Sequence, residues 1–118
     1  MKNKLKVVIW MGDSRKSILK FPLEVKKTIG HVLYFAQRGD RHPDIKMMRG
    51  LGSGMYEILE DHRSGTYRAI YTVQYADRVY VLHAFQKKSK SGITTPLADI
   101  DLVKKRLKQI KEIKNDKK

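Results

Sequence analysis

The sequence contains no cysteine, which rules out disulfides and thiolate chemistry. It is also short of acids: 12 Asp and Glu stand against 26 Lys and Arg, a formal net charge of +14 in 118 residues. An excess of this size implies an anionic partner, most simply nucleic acid, because lysines and arginines neutralise phosphates and release condensed counterions. No run is long and apolar enough to span a bilayer. The N-terminus, Met1-Lys2-Asn3-Lys4-Leu5-Lys6, leads into a short apolar run followed closely by Asp13 and Arg15, which is not the pattern of a signal peptide. The expected location is the cytoplasm, with no membrane partner. No two of the four histidines stand at ligand spacing, so neither a metal nor another cofactor is expected. Repeats and Pro-, Gly- or Ser-rich linkers are missing too. The length suits a single domain over residues 1–118 with one core.

What is present centres on Gly65 to Lys88. Two segments rich in β-branched and aromatic residues flank Ala76-Asp77, which predicts an antiparallel hairpin with Tyr75 opposite Arg78. In that register Arg68 lies opposite Phe85, with His83 and Lys87 on the same face. Ala69, Tyr71, Val73, Tyr80, Leu82 and Ala84 share the other face. One face is therefore apolar, and the other carries cations at spacings that suit a phosphate. Met55–Asp61 reads as the preceding strand. Pairing Arg63 with Thr66 around Ser64-Gly65 puts Tyr56 and Ile58 on the apolar face, and Glu57 and Asp61 on the face of Arg68. For Asp61 a cross-strand ion pair is the preferred reading. For Glu57, an ion pair and a supporting role (holding Arg68 or moving a proton) stand level.

Around this hairpin, Leu5–Met11 reads as a first strand ended by Gly12-Asp13, and a short turn or helix covers Ser14–Lys20. Pro22 opens a helix whose apolar stripe is Val25, Ile29, Val32, Leu33 and Ala36, closed by Gly39. Asp40–Gly54 reads as a loop. A strand follows its glycines where a phosphate-binding loop needs a helix, and Gly52-Ser53-Gly54 lacks the spacing of a nucleophile elbow. Lys46 and Arg49 in this loop can project toward a nucleic-acid backbone. Thr95 and Pro96 start a C-terminal helix, with Asp99 and Asp101 in its opening turns to suit the dipole. Its stripe is Leu97, Ile100, Val103, Leu107 and Ile110; Lys104, Lys105, Arg106, Lys108 and Lys111 form a solvated face. Asn115–Lys118 is a charged tail expected to fray. The expected fold is α+β: a small antiparallel β-sheet with helices packed on one face, leaving the Arg68 face open.

Leu51-Gly52-Ser53-Gly54-Met55-Tyr56-Glu57-Ile58, Tyr67-Arg68-Ala69-Ile70-Tyr71 and Leu82-His83-Ala84-Phe85-Gln86-Lys87-Lys88-Ser89, with Thr95-Pro96 after them, carry a resemblance. The chain resembles the phage-derived, HigB-like branch of the RelE/ParE toxin superfamily over nearly its whole length; Gln37-Arg38-Gly39 and Trp10 fit the same pattern. The resemblance implies a RelE-like fold and the toxin of a type II toxin–antitoxin pair. Such a toxin cleaves mRNA on the ribosome without a metal. It is neutralised by a cognate antitoxin, often a helix-turn-helix protein, and meets operator DNA only through that complex.

Metal-free RNA cleavage uses the neighbouring 2′-hydroxyl as nucleophile, so the protein must activate it, stabilise the phosphorane and protonate the leaving oxygen. Arg68 is the candidate stabiliser, since its planar fork of donors suits a phosphate. Lys87 and Lys88 would position the backbone, although alternation puts Lys88 on the opposite face unless the strand has ended. His83 is the candidate acid or base, with a structural hydrogen bond as the equal alternative. Tyr67 and Phe85 are candidates for stacking on bases, with core packing the preferred reading for both; Lys46, Arg49 and Lys90 are candidate RNA contacts. With Arg68 on an open face, Arg68→Ala should change stability by under about 0.5 kcal/mol while cleavage falls steeply. Two other readings stay open: a ParE-like toxin that poisons gyrase without hydrolysis, and a phage-derived nucleic-acid-binding module that has lost activity.

Overall fold

The computed structural model describes residues 4–87 and 95–116. In chain order these form β1 (Val7–Trp10), α1 (Ser14–Leu19), α2 (Leu23–Gln37), β2 (Ile45–Met47), β3 (Met55–His62), β4 (Gly65–Thr72), β5 (Arg78–Lys87) and α3 (Leu97–Asp116). The strands make one sheet in the order β1-β5-β4-β3-β2. β1 runs parallel to β5, and the remaining pairs are antiparallel. Among the described residues no helix is long and apolar enough to cross a membrane. α3 continues through Asp116, two residues into the stretch expected to fray, and Lys117 and Lys118 lie outside the described residues.

The α+β class is as expected from the sequence, but the layering differs. α1 and α2 cover one face, where Val25, Ile29, Val32, Leu33 and Ala36 meet Tyr56, Ile58, Tyr67, Ala69, Tyr71, Val79, Val81 and Ala84. α3 covers the second face, packing Val103, Leu107 and Ile110 on Met55, Ile70, Tyr80 and Leu82. Each aliphatic side chain buried in this way contributes about 1.5–3 kcal/mol. Leu97, at the start of the α3 stripe, stays 73% exposed and does not join it. The face carrying Arg68 is therefore not open; it lies under α3.

Two details of register account for this second apolar face. β4 and β5 begin in the expected alignment, with Arg68 opposite Phe85 and Ile70 opposite His83, and then slip by one residue so that Tyr71 meets Val81. Such a bulge sends the residues beyond it to the opposite face. Tyr80 and Leu82, expected beside Ala69, instead face α3, and Val79 and Val81 take their place. On the other side, His62 pairs with Gly65 around Arg63-Ser64, which moves the β3–β4 register by two residues from the expected one. A shift of two preserves alternation, so Glu57 still shares a face with Arg68. The residue opposite Arg68 becomes Leu59 rather than Asp61.

β2 lies within the stretch expected to be loop, and its Lys46 pairs directly opposite Glu57. α3 is also tied to the β1–α1 turn. Arg106 donates to the Leu82 carbonyl at 2.6 Å and reaches Asp13 at 3.4 Å. Its guanidinium fills the space beside Gly12, whose φ of 52° favours glycine and where a Cβ would overlap Arg106.

Candidate functional site

Arg68 and Glu57 are each 1% exposed. Arg68 Nη1 donates to Glu57 Oε2 at 3.3 Å and to Thr95 Oγ1 at 3.2 Å, and the Thr95 hydroxyl donates to the same Glu57 oxygen at 2.9 Å. Thr95 thus bridges the two desolvated charges by bonding to both. Arg68 Nε is buried, and among the described residues it has no hydrogen-bond partner. The expected exposed arginine is therefore a buried one, because the start of α3 lies over it. The expected Asp61–Arg68 pairing gives way to a bond from Thr66 Oγ1 to Asp61 at 3.0 Å.

His83 lies on the same sheet face and is 8% exposed. Its Nε2 is 2.6 Å from Asp99 Oδ1, and its ring stacks on Phe85 with centroids 5.0 Å apart. A carboxylate can only accept, so Nε2 donates in this bond, and in the uncharged form of an imidazole the other nitrogen, Nδ1, is then an acceptor. Nδ1 is buried, and among the described residues it has no partner. Thr95 and Asp99 stand four residues apart, and so lie together at the start of α3, one on Arg68 and Glu57, the other on His83. Sequence reasoning gave both of them only helix-start duties. Their four-residue spacing was the available signal, but it does not say what the helix start covers.

A cleft of about 390 Å3 opens over this network, lined by Lys46, Met48, Arg49, Glu57, Thr95 and Ile100 among others. Lys46 and Arg49 are exposed at its rim. A second cleft, of about 450 Å3, sets Lys104, Lys108 and Lys111 of α3 beside Gly50 and Gly52, so part of the helix face expected to be merely solvated lines a groove.

The remaining expected residues divide. Phe85 is half-buried and stacked on His83. Lys87 ends β5, half-buried and opposite Thr66. Lys88 and Lys90 lie outside the described residues. Tyr67 belongs to the other face: it is 5% exposed, packs on Phe21 with ring centroids 4.8 Å apart, and its hydroxyl is 2.6 Å from Ser64 Oγ. Of the two readings for Tyr67, stacking on a base and core packing, the structure gives core packing. Among the described residues no three His, Asp or Glu side chains converge as a metal-binding group.

The fold is shared with solved toxins. Escherichia coli toxin RelE, as a double mutant in the free state, superposes with a TM-score of 0.55 at 20% identity, covering 90% of this chain and 98% of that one. The isolated Escherichia coli RelE toxin gives 0.53 at 20% identity, covering 85% and 97%. The RelBE2 toxin–antitoxin complex from Mycobacterium tuberculosis is more distant, at 0.45 and 17% identity, covering 70% and 99%. No curated protein sequence matches the chain. A sequence model of the phage-derived Gp49-like proteins matches residues 16–108, which takes in most of α1, every element from α2 to β5 and the first half of α3. The chain, built on a RelE-like fold, belongs to the phage-derived Gp49-like family.

Proposed function

We propose that this chain is the toxin of a type II toxin–antitoxin pair, and that it cleaves mRNA in the cleft between β2, β3 and the start of α3. The observation that carries the reading is the cleft itself. Exposed Lys46 and Arg49 stand at its rim, Glu57 and Thr95 line it, and Arg68 lies beneath, with His83 on the same sheet face. The RelE-like fold and the resemblance of the Tyr67-Arg68 and His83-to-Lys88 strings support it.

In this reading Lys46 and Arg49 hold the RNA backbone by charge, with Lys87 and, outside the described residues, Lys88 and Lys90 adding to the field. The 2′-oxygen bonds to phosphorus as the bond to the 5′-oxygen breaks, leaving a 2′,3′-cyclic phosphate and a 5′-hydroxyl. One proton leaves the 2′-hydroxyl and one reaches the departing oxygen. His83, oriented by Asp99, is the group suited to carry a proton; its Nδ1 is buried, so it would reach the RNA only with the start of α3 lifted. Arg68 acts from below as a positioning charge, holding Glu57 and Thr95 in place; contact with the phosphorane would require the start of α3 to lift.

The partners that go with this function are the ribosome and mRNA in the cytoplasm, and a cognate antitoxin of helix-turn-helix type through which operator DNA is met. An acidic antitoxin segment would suit the cationic rim, and its affinity should fall as salt rises. Primer extension on transcripts from cells expressing the chain tests the function. New ends within coding regions support it; DNA breaks with intact transcripts replace it with gyrase poisoning.

A further inference from the structure

On the sheet face away from the cleft, a cavity of about 280 Å3 opens between the end of α2, β2, β3 and the end of β4. Ile45 and Val73 form an apolar wall, and Lys6, Arg41, Tyr56 and Tyr71 bring polar ends to it. Tyr71 is 2% exposed and lines the cavity. Burial pushes the Tyr71 phenol well above the usual tyrosine range; Tyr56 adds to the effect and Arg41 opposes it, so the hydroxyl feels both neighbours. Arg41 Nη2 donates to the Tyr56 hydroxyl at 2.9 Å, with the guanidinium carbon 5.2 Å from the ring centre.

That bond uses the Tyr56 oxygen as an acceptor. The Tyr56 O–H, the Tyr71 O–H and the other guanidinium N–H groups are the donors that these cavity-lining residues have to offer. The acid at the rim, Asp40, is engaged by Arg38 at 3.1 Å. We propose that this cavity binds a phosphate monoester, with Arg41 and Lys6 supplying charge and Tyr56 and Tyr71 supplying hydroxyl donors. Two cations match a dianion, and three terminal oxygens can accept from all three donor groups. A carboxylate would occupy the guanidinium fork and leave a phenol unmet. The apolar wall suits the carbon side of the ester. The site shares no residue with the cleft over Glu57, so it does not depend on RNA cleavage there.

The full-length chain is titrated with inorganic phosphate, a nucleoside 5′-monophosphate and acetate, following Arg41 side-chain and backbone amide signals by NMR. Saturable binding at roughly millimolar or lower concentration is expected for both phosphates. A tighter nucleotide identifies an ester as the ligand, and equal affinities identify the free anion. Tyr71→Phe, which preserves the packed ring, and Arg41→Gln should each weaken binding about tenfold, the effect of losing a hydrogen bond to a charged group. Lys27→Ala, an exposed lysine on α2, should leave it unchanged. Acetate binding as tightly as phosphate overturns the proposal. So does a loss in Lys27→Ala equal to that in Arg41→Gln, which would mark general attraction to a basic surface.

Discussion

Replacing Arg68 tests the structure at its most demanding point. Arg68 and Glu57 are both 1% exposed and joined at 3.3 Å, so Arg68→Ala leaves a carboxylate in the interior with Thr95 as its remaining partner. Breaking a buried pair from one side costs about 3–5 kcal/mol. With an unfolding entropy of about 2.1 cal/mol/K per residue, a chain of this length should lose roughly 12–20 °C in Tm. An arginine on an open face would give under about 0.5 kcal/mol, or a shift of roughly 2 °C, so one melting curve separates the two cases. The double variant Arg68→Met with Glu57→Leu removes both charges and should recover most of the loss, since apolar replacement of a buried pair is often neutral or better. A single variant that melts within about 2 °C of the parent, with no gain in the double, refutes the buried pair and means that α3 does not cover this face. Cleavage by the double variant then separates two roles. A stable, active protein makes the pair purely structural, whereas a stable, inert one shows that a charge of the Arg68–Glu57 pair is used.

Lys46→Ala and Arg49→Ala should each leave Tm nearly unchanged but weaken RNA binding. The slope of log K against log salt should fall by about 0.7 per lost contact; an unchanged slope places the RNA elsewhere. Asp99→Asn should lower the cleavage rate by about tenfold to a hundredfold and shift its pH profile, because the bond that orients His83 loses its charge. An unaltered profile would remove His83 as proton carrier. Tyr71 ionises at higher pH folded than unfolded, so its contribution to stability is complete below the ordinary value of 10.0 and is lost as pH rises above it. Melts of Tyr71→Phe should therefore show a shallower decline than the parent in that alkaline range, and identical slopes would mean that Tyr71 is not the buried phenol described.

How much was legible in the sequence differs from element to element. The α2 stripe from Val25 to Ala36 and the α3 residues Val103, Leu107 and Ile110 are local patterns, and all of them are buried as their spacing requires. Alternation along β3 and β4 correctly placed Glu57 on the face of Arg68, since face assignment depends only on parity. Parity also explains what stayed hidden. A register shift of two residues leaves every face unchanged, so the partner opposite Arg68 could not be read from alternation. A bulge reverses parity without a local mark, and this one carried Tyr80 and Leu82 to the other side. The short β2, three residues long, gains its strand character from pairing with β3 rather than from its own composition. Most consequential is the bridge from Thr95 to Glu57 across 38 residues of chain, with the Asp99–His83 contact beside it. The sequence by itself determined the helices, the faces of β3 and β4 and the family pattern, because those rest on neighbours a few residues apart. Only the tertiary structure decided that the arginine is buried and what shares its pocket, because the helix that covers it arrives from the far end of the chain.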